Sequence, residues 1–121
     1  MSNFEKKAEE NLNAAIILFD NQYYNASANR SYYATFQSAI HALSNEGFNI
    51  QRISHEAAQS LFAGELINRK KKFPSKLKAS LSQLRIIRND ADYELKQVSQ
   101  KIAKRQLRKA QEFINIVLRG K

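Results

Sequence analysis

The sequence predicts an all-α protein, an antiparallel bundle of about five helices formed by a single domain that spans residues 1–121. The 121 residues include only three glycines and one proline, the residue types that most often interrupt β-rich chains. Apolar residues make up 43% of the chain, and they recur about every 3.6 positions along almost all of it. This length suits one domain with its own core, and helices in such bundles are joined by short connections.

The first two predicted helices each carry one apolar stripe at helical spacing. The first helix begins at Ser2, which forms a capping box with Glu5, and it ends at about Asp20. The second helix extends from about Tyr23 to Asn45. Its stripe is mostly aromatic and consists of Tyr32, Tyr33, Phe36, Ile40 and Leu43. We interpret this stripe as part of the core, with the stacking of RNA bases as the alternative.

The other three helices are bounded by serine caps, the single proline and a terminal glycine. Their predicted bounds are Ser54 to about Asn68, after Ser75 to about Leu95, and Ser99 to about Gly120. The connection between the third and fourth helices, RKKKFPSK, is strongly basic.

Charge is distributed unevenly along the chain, whose net charge is +9. Residues 1–68 contain four basic and seven acidic residues, whereas residues 69–121 contain sixteen and four. The basic half indicates a polyanionic partner, with RNA favoured over an anionic membrane or an acidic protein, although basic residues also serve simply as a solvated surface. The candidate RNA-binding residues are Lys70, Lys71 and Lys72 in the basic connection and Lys101, Lys104, Arg105 and Arg108 on one face of the fifth helix.

Several kinds of site are not expected. The chain has no cysteine, which excludes disulfides and thiolate zinc sites. No apolar run is long enough to span a bilayer and no signal peptide is evident, so we expect a cytoplasmic protein without a membrane partner. His41 is interpreted as a packing residue, with proton transfer as the alternative, and His55 has no chemical partner nearby in the sequence. Two isolated histidines do not make a metal site, and no cofactor is predicted.

The stretch LRIIRNDADYEL places an arginine on an apolar stripe. Leu77, Leu81 and Leu84 are spaced four and three residues apart, and the same rhythm continues to Arg88. A core-facing arginine needs an anion, and Asp92, one turn later, can supply it. The alternative is that Arg88 faces a second protomer, where two copies would form an anion pocket across a twofold axis.

Three segments of the sequence resemble the HEPN superfamily, especially its small stand-alone prokaryotic members. They are NRSYYATFQSAIHAL in the second helix, RNDADY in the fourth and AQEFINIVL in the last, and the similarity covers residues 4–118. The resemblance implies a helical bundle that forms a homodimer, with a motif of arginine, polar residue, spacers and histidine at the dimer cleft. Active members are metal-independent endoribonucleases, often toxins encoded beside a minimal nucleotidyltransferase that acts as antitoxin.

Only part of the HEPN motif is present. Arg88 matches the motif arginine and Asn89 the polar residue, but no histidine follows at the expected spacing. Asp92 or Tyr93 would have to transfer the proton, which carboxylates and phenols do less well than histidine near neutral pH. The resemblance also makes Tyr93 a candidate acceptor of AMP from a nucleotidyltransferase. On a continuous helix residues 88 and 93 lie about 140° apart, so they converge only where the helix ends or a partner contributes.

The resemblance therefore implies a metal-independent endoribonuclease, the toxin of a HEPN/nucleotidyltransferase pair, with a composite active site at the dimer interface. The catalytic candidates are Arg88, Asn89, Asp92 and Tyr93. The alternative is a catalytically inactive HEPN domain that binds nucleotide, RNA or a nucleotidyltransferase partner. The absence of the motif histidine favours this alternative, so the sequence leaves open whether the protein is an enzyme.

Overall fold

The computed structural model describes residues 2–93 and 97–120, and within them it contains helices and no strands. The helices are α1 (Asn3–Asp20), α2 (Tyr24–Asn45), α3 (His55–Leu61), α4 (Lys76–Tyr93) and α5 (Gln100–Arg119), and α3 continues directly into a π-helical segment (Phe62–Arg69). The all-α prediction is confirmed. Across the described ranges, no helix is both long enough and apolar enough to cross a membrane.

Three predicted serine caps and the predicted C-terminal glycine form helix ends as the sequence indicated. Ser2, Ser54 and Ser99 each accept a hydrogen bond on the side-chain oxygen from the backbone N–H three residues later, at 3.0–3.1 Å. Gly120 ends α5 in the left-handed conformation, with φ of 69°, which glycine adopts without strain. The predicted end of the fourth helix near Leu95 lies outside the described residues.

The pair α1 and α2 packs antiparallel, as does the pair α4 and α5. The central helix of the bundle is α2, which contacts α1, α3, α4 and α5. Near the start of α2, the buried Ser27 hydroxyl donates to the carbonyl of Ala15 near the end of α1, at 2.8 Å. The start of α4 lies beside the later part of α5, since Lys76 Nζ is 3.2 Å from a carboxylate oxygen of Glu112. The end of α4 lies beside the start of α2, since Asn29 Nδ2 donates to Oδ2 of Asp92 at 2.9 Å.

The core forms between α2, the π-helical segment, α4 and α5. The largest fully buried apolar side chains are Tyr32, Leu43, Phe62, Leu66, Leu77, Leu84, Phe113 and Ile114. The ring of Phe62 lies 5.5 Å from that of Phe73 and 5.2 Å from that of Phe113, measured between centroids. The aromatic stripe of α2 joins this core through Tyr32, as the sequence predicted, while Tyr33 and Phe36 are only half-buried.

The third helix differs from its prediction as one regular α-helix that continues to about Asn68. From Phe62 onward the helix is a π-helix, in which each N–H bonds to the carbonyl five residues earlier. The N–H of Lys70 continues this pattern by bonding to the carbonyl of Glu65, at 2.9 Å. A π-helix holds more residues per turn than an α-helix. Residues four and five positions after Phe62 therefore share its face, which explains why Leu66 and Ile67 are both buried with it.

Candidate functional site

Arg88 lies in a cleft between α2 and α4, and its side chain is only 17% exposed. Its Nε is 2.9 Å from Oδ2 of Asp92, so the ion pair that the sequence suggested is present. This N–H does not point at the carboxylate with hydrogen-bond geometry, and Nε has no other partner among the described residues. The terminal nitrogens are better directed, because Nη1 donates to Asn89 Oδ1 at 3.0 Å and Nη2 donates to the hydroxyl oxygen of Tyr33 at 2.8 Å.

Three tyrosine rings surround the guanidinium of Arg88. Its Cζ lies 5.2 Å from the ring centroid of Tyr33, 5.7 Å from that of Tyr93 and 6.0 Å from that of Tyr32. At these distances aromatic rings attract a cation, which helps to offset the cost of removing the guanidinium from water. Tyr93 reaches Arg88 because it is the last residue of α4 as described. The four catalytic candidates of the sequence analysis are thus close together.

A second arginine extends this polar cleft toward α1. Asn29 Nδ2 donates to both carboxylate oxygens of Asp92, at 3.2 and 2.9 Å, while Asn29 Oδ1 accepts from Arg30 Nε at 2.8 Å. Arg30 Nη1 also donates to Oδ1 of Asn11, at 3.0 Å, and its Cζ lies 4.9 Å from the ring centroid of Tyr33. Both described partners of Arg30 are neutral amides, so this cation keeps its charge available for an anion.

His55, at the start of α3, lies against the same tyrosines. Its Nδ1 is 2.5 Å from the hydroxyl oxygen of Tyr32, and its ring stacks on Phe36 with centroids 4.4 Å apart and planes 7° apart. Burial, and then the positive charges of Arg85 and Arg88, lower the pKa of His55 from its ordinary value of 6.5. The sequence analysis missed this residue because its partners lie on α2 and α4, far from it along the chain.

The groups around His55 leave the site with excess positive charge. Burial raises the pKa of Tyr32 to about 12, against the opposing effect of Arg85 and Arg88, so its hydroxyl keeps its proton at neutral pH. Arg85 Nη2 donates to Glu56 Oε1 at 2.6 Å, and this hydrogen bond lowers the pKa of Glu56. Arg30, Arg85 and Arg88 are thus accompanied by two carboxylates, those of Glu56 and Asp92.

The basic face predicted on α5 is exposed. Lys101, Lys104, Arg105 and Arg108 form this α5 basic cluster, and with Lys109 and Glu112 they line a shallow groove. Arg105 and Lys109 also border a second groove between α5 and α4, whose other lining residues include Ile86 and Ile87. Ile87 precedes Arg88 in the chain, but consecutive residues of a helix point about 100° apart, so this groove and the side chain of Arg88 lie on neighbouring faces of α4.

The basic connection before α4 is not brought to this cleft. Lys70 and Lys72 lie 3.8 and 3.5 Å from a carboxylate oxygen of Glu46, at the far end of α2. Lys71 is exposed and has a φ of 51°. Arg88 comes twelve residues after the first residue of α4, a distance of roughly 18 Å along a helix axis. The two basic segments predicted to bind RNA therefore lie at different distances from Arg88.

His41 fits the packing role that the sequence suggested. Its Nδ1 lies 2.6 Å from Ser2 Oγ, and its Nε2 lies 3.1 Å from Asn45 Nδ2 and 3.9 Å from a carboxylate oxygen of Glu5. Both ring nitrogens are thereby occupied in joining α1 to α2. Within residues 2–93 and 97–120, no three histidine or carboxylate side chains are grouped in a way that could hold a metal ion.

Comparison with known proteins gives one family. The family model described as the HEPN domain matches residues 1–120, almost the whole chain. No curated protein matches the chain. Every residue of the cleft between α2 and α4, together with His55 and the α5 basic cluster, lies inside the matched region.

Proposed function

The chain belongs to the HEPN family, whose members are generally nucleases or RNA-binding proteins, and from this we propose that it is an endoribonuclease that cuts RNA without a metal ion. The observation that carries the proposal is the setting of Arg88. Its guanidinium is mostly buried and lies among three tyrosines. In the described part of the chain it pairs with one carboxylate, that of Asp92, and the Nε–H is not directed at this carboxylate with hydrogen-bond geometry. A phosphate oxygen would be a better-directed acceptor, and Arg30 and Arg85 add positive charge nearby.

In the proposed reaction, Arg88 holds the scissile phosphate. Its Nη1 and Nη2, which now donate to Asn89 and Tyr33, would turn toward two phosphate oxygens, and Asn89 would orient the group. Negative charge grows on these oxygens in the transition state, where fixed donors stabilise it most. Tyr93, whose side chain is 74% exposed beside the guanidinium, would donate to a phosphate oxygen or to the leaving 5′-oxygen.

The α5 basic cluster would bind the RNA backbone next to the cleft. Arg105, Lys109 and Ile87, the residue before Arg88 in the chain, line the groove between α4 and α5. Lysine and arginine contacts with phosphates supply affinity but carry no sequence information. Cleavage should therefore be sensitive to salt and tolerant of sequence, with any preference arising from the bases nearest Arg88.

We also propose that the active form is a homodimer and the toxin of a pair with a minimal nucleotidyltransferase. In a symmetric dimer, two copies of Arg88 would approach across the twofold axis and strengthen the attraction for one phosphate. HEPN proteins often act as dimers. The exposed hydroxyl of Tyr93 would be the acceptor of AMP, and a bulky anion attached there would block the cleft of Arg88.

The experiment that tests this function compares wild type with Arg88→Ala in an RNA-cleavage assay containing a metal chelator. We expect the rate of Arg88→Ala to fall at least about 100-fold, the scale for removal of one transition-state donor. Arg69→Ala is the matched control, because Arg69 is an exposed arginine that also pairs with a carboxylate four residues away, that of Glu65 at 2.6 Å. Equal falls in both variants would contradict the proposal.

The second candidate is an inactive HEPN domain that binds RNA, nucleotide or a nucleotidyltransferase. The observation that favours it is the absence of a histidine at the motif spacing after Arg88. This candidate predicts that neither wild type nor Arg88→Ala cuts RNA, while Arg88→Ala binds an RNA oligonucleotide more weakly than wild type does.

A further inference from the structure

We infer that His55 supplies the proton acceptor that the sequence around Arg88 lacks, and that its Nε2 removes the proton of the attacking RNA 2′-hydroxyl. The inference rests on the proposed endoribonuclease function and names a residue on a different helix, α3, for a role that Asp92 or Tyr93 would otherwise have to fill. Three features of the described residues support it: proximity to Arg88, a fixed ring orientation and a free nitrogen.

His55 and Arg88 lie against the same pair of rings. The ring centroid of His55 is 5.6 Å from that of Tyr32 and 6.1 Å from that of Tyr33. The guanidinium carbon of Arg88 is 6.0 and 5.2 Å from these two centroids. The distance between the imidazole and the guanidinium is therefore at most the sum of their distances to the ring that they share. The two side chains thus lie against the same aromatic pair, Tyr32 and Tyr33.

The imidazole ring is held in one orientation. The hydroxyl of Tyr32, itself only 1% exposed as a residue, lies 2.5 Å from Nδ1, and Phe36 stacks on the ring face. The opposite nitrogen, Nε2, has no hydrogen-bond partner in the described part of the chain and is not enclosed. Nε2 carries the lone pair that a general base needs in the tautomer whose Nδ1–H donates to the Tyr32 oxygen, and in that tautomer the Tyr32 hydroxyl must direct its own proton to an acceptor other than His55.

The charges around His55 favour its neutral, proton-accepting form. Tyr32 and Tyr33 face it from α2, Glu56 is its neighbour on α3, and Arg85 and Arg88 face it from α4. The two cations and burial lower the pKa of His55, and Glu56 opposes them only in part. His55 is therefore unprotonated at neutral pH and ready to accept a proton.

The proposed step conserves protons and bonds. The proton of the 2′-hydroxyl moves to Nε2 of His55 while the 2′-oxygen forms a bond to phosphorus. The bond from phosphorus to the 5′-oxygen breaks, and the 5′-oxygen takes a proton from water. His55 then returns its proton to water. The products are a 2′,3′-cyclic phosphate and a 5′-hydroxyl, and no oxidant, reductant or metal takes part.

The test is His55→Asn, because the asparagine amide can take the position of Nδ1 beside Tyr32 but offers no base at the position of Nε2. We expect cleavage to fall by about 10²–10⁴-fold, the usual contribution of a general base. Binding of an RNA oligonucleotide with 2′-O-methyl riboses should change less than about threefold, since phosphate contacts supply most of the affinity. His41→Asn is the matched control and should cut RNA at the wild-type rate.

The outcomes separate this inference from the function on which it rests. If Arg88→Ala abolishes cleavage and His55→Asn retains the wild-type rate, the role of His55 is wrong and the endoribonuclease stands. If wild type does not cut RNA, both fail.

A measurement on wild type alone covers the case in which His55→Asn does not fold. For RNA cleavage, kcat/KM should rise with pH and then level off. The midpoint of this rise should lie below about pH 6.5 and should equal the midpoint of the NMR titration of His55. A midpoint that differs from that titration would overturn the inference.

Discussion

Asp92 binds two partners at once: one carboxylate oxygen lies 2.9 Å from Nε of Arg88, and both oxygens accept hydrogen bonds from Asn29. The carboxylate therefore joins α4 to α2 and partly neutralises Arg88. Proton transfer to this carboxylate would weaken both contacts. In the proposed enzyme, Asp92 is better explained as a counterion that a phosphate displaces.

Asp92→Asn should strengthen RNA binding. The amide keeps an oxygen for Asn29 but no longer neutralises Arg88, so a non-cleavable oligonucleotide should bind about fivefold tighter, or about 1 kcal/mol, the scale of one partly exposed charge contact. The free energy of unfolding should fall by a similar amount, roughly 1 kcal/mol. Fluorescence anisotropy and urea denaturation measure the two quantities.

The rate of RNA cleavage by Asp92→Asn distinguishes the roles of Asp92. A counterion predicts a change of less than about tenfold, whereas a general base predicts a fall of about 10²–10⁴-fold. Asp20→Asn, an exposed aspartate at the end of α1, controls for the change in net charge. A large fall confined to Asp92→Asn would reassign the base from His55 to Asp92.

The two basic segments should contribute unequally to RNA binding. Replacing Lys104 and Arg108 by alanine should weaken binding of all RNA sequences and lower the slope of log affinity against log salt by about 0.7 for each phosphate that is no longer neutralised. Replacing Lys71 and Lys72 should have a smaller effect, because their loop lies away from Arg88 and Lys72 is close to Glu46.

Exposed lysines on α1 provide the control for these charge changes. Lys6→Ala with Lys7→Ala removes the same charge from a helix whose N-terminal end packs beside the C-terminal part of α2. This double variant should leave the salt slope unchanged. If it lowers the slope as much as the α5 double variant does, binding depends on net charge alone, and the α5 basic cluster has no special role.

The helices could be predicted from sequence because their signals are local. The leucine stripe that leads to Arg88 and the serine caps depend on residues within four positions of one another, and the structure confirms the stripe and the caps at Ser2, Ser54 and Ser99. The same stripe predicted that Arg88 would be mostly buried and would pair with Asp92, one turn away. Local spacing thus revealed the cation and its first partner.

Features that depend on contacts between helices could not be read from the same spacing. The π-helical segment buries both Leu66 and Ile67. This depends on packing against the neighbouring helices and not on the spacing of apolar residues in the sequence. His55 had no nearby chemical partner in the sequence, yet α2 and α4 bring Tyr32 and Arg85 to it. Its place in the site became visible only when α3 was packed on the bundle.

Stability should depend on pH through His55. Its pKa is lower in the folded protein than the ordinary value of 6.5, so between these two values the unfolded chain binds more protons than the folded one. The contribution of neutral His55 is therefore complete above about pH 6.5 and disappears as pH falls toward the folded value. Urea denaturation between about pH 8 and pH 5 should show a steeper fall for wild type than for His55→Asn.

His41→Asn serves as the comparison for this pH dependence. Titration of the carboxylates affects all three proteins alike, so the difference between wild type and each variant isolates one histidine. Identical slopes in wild type and His55→Asn would show that burial and the two arginines do not disfavour protonation of His55.

Ile86→Glu should weaken the proposed dimer. Ile86 is a large apolar side chain that is 56% exposed on α4, the kind of residue that a protein interface covers. It lies about 200° around the helix from Arg88 and lines the groove between α4 and α5, so the variant tests a dimer interface along that groove. Sedimentation should give about twice the 13.9 kDa chain mass for wild type. The variant should raise the dimer dissociation constant at least about tenfold, or about 1.4 kcal/mol, because a carboxylate would be buried in the interface.

Ile17→Glu is the matched control, because Ile17 is 61% exposed and lies on α1. The substitution is chemically the same as Ile86→Glu but is made on a different helix. Both isoleucines are largely in solvent, so neither substitution should lower the free energy of unfolding of the monomer by more than about 0.5 kcal/mol. A wild-type protein that sediments as a monomer and still cuts RNA would show that one chain holds the complete site.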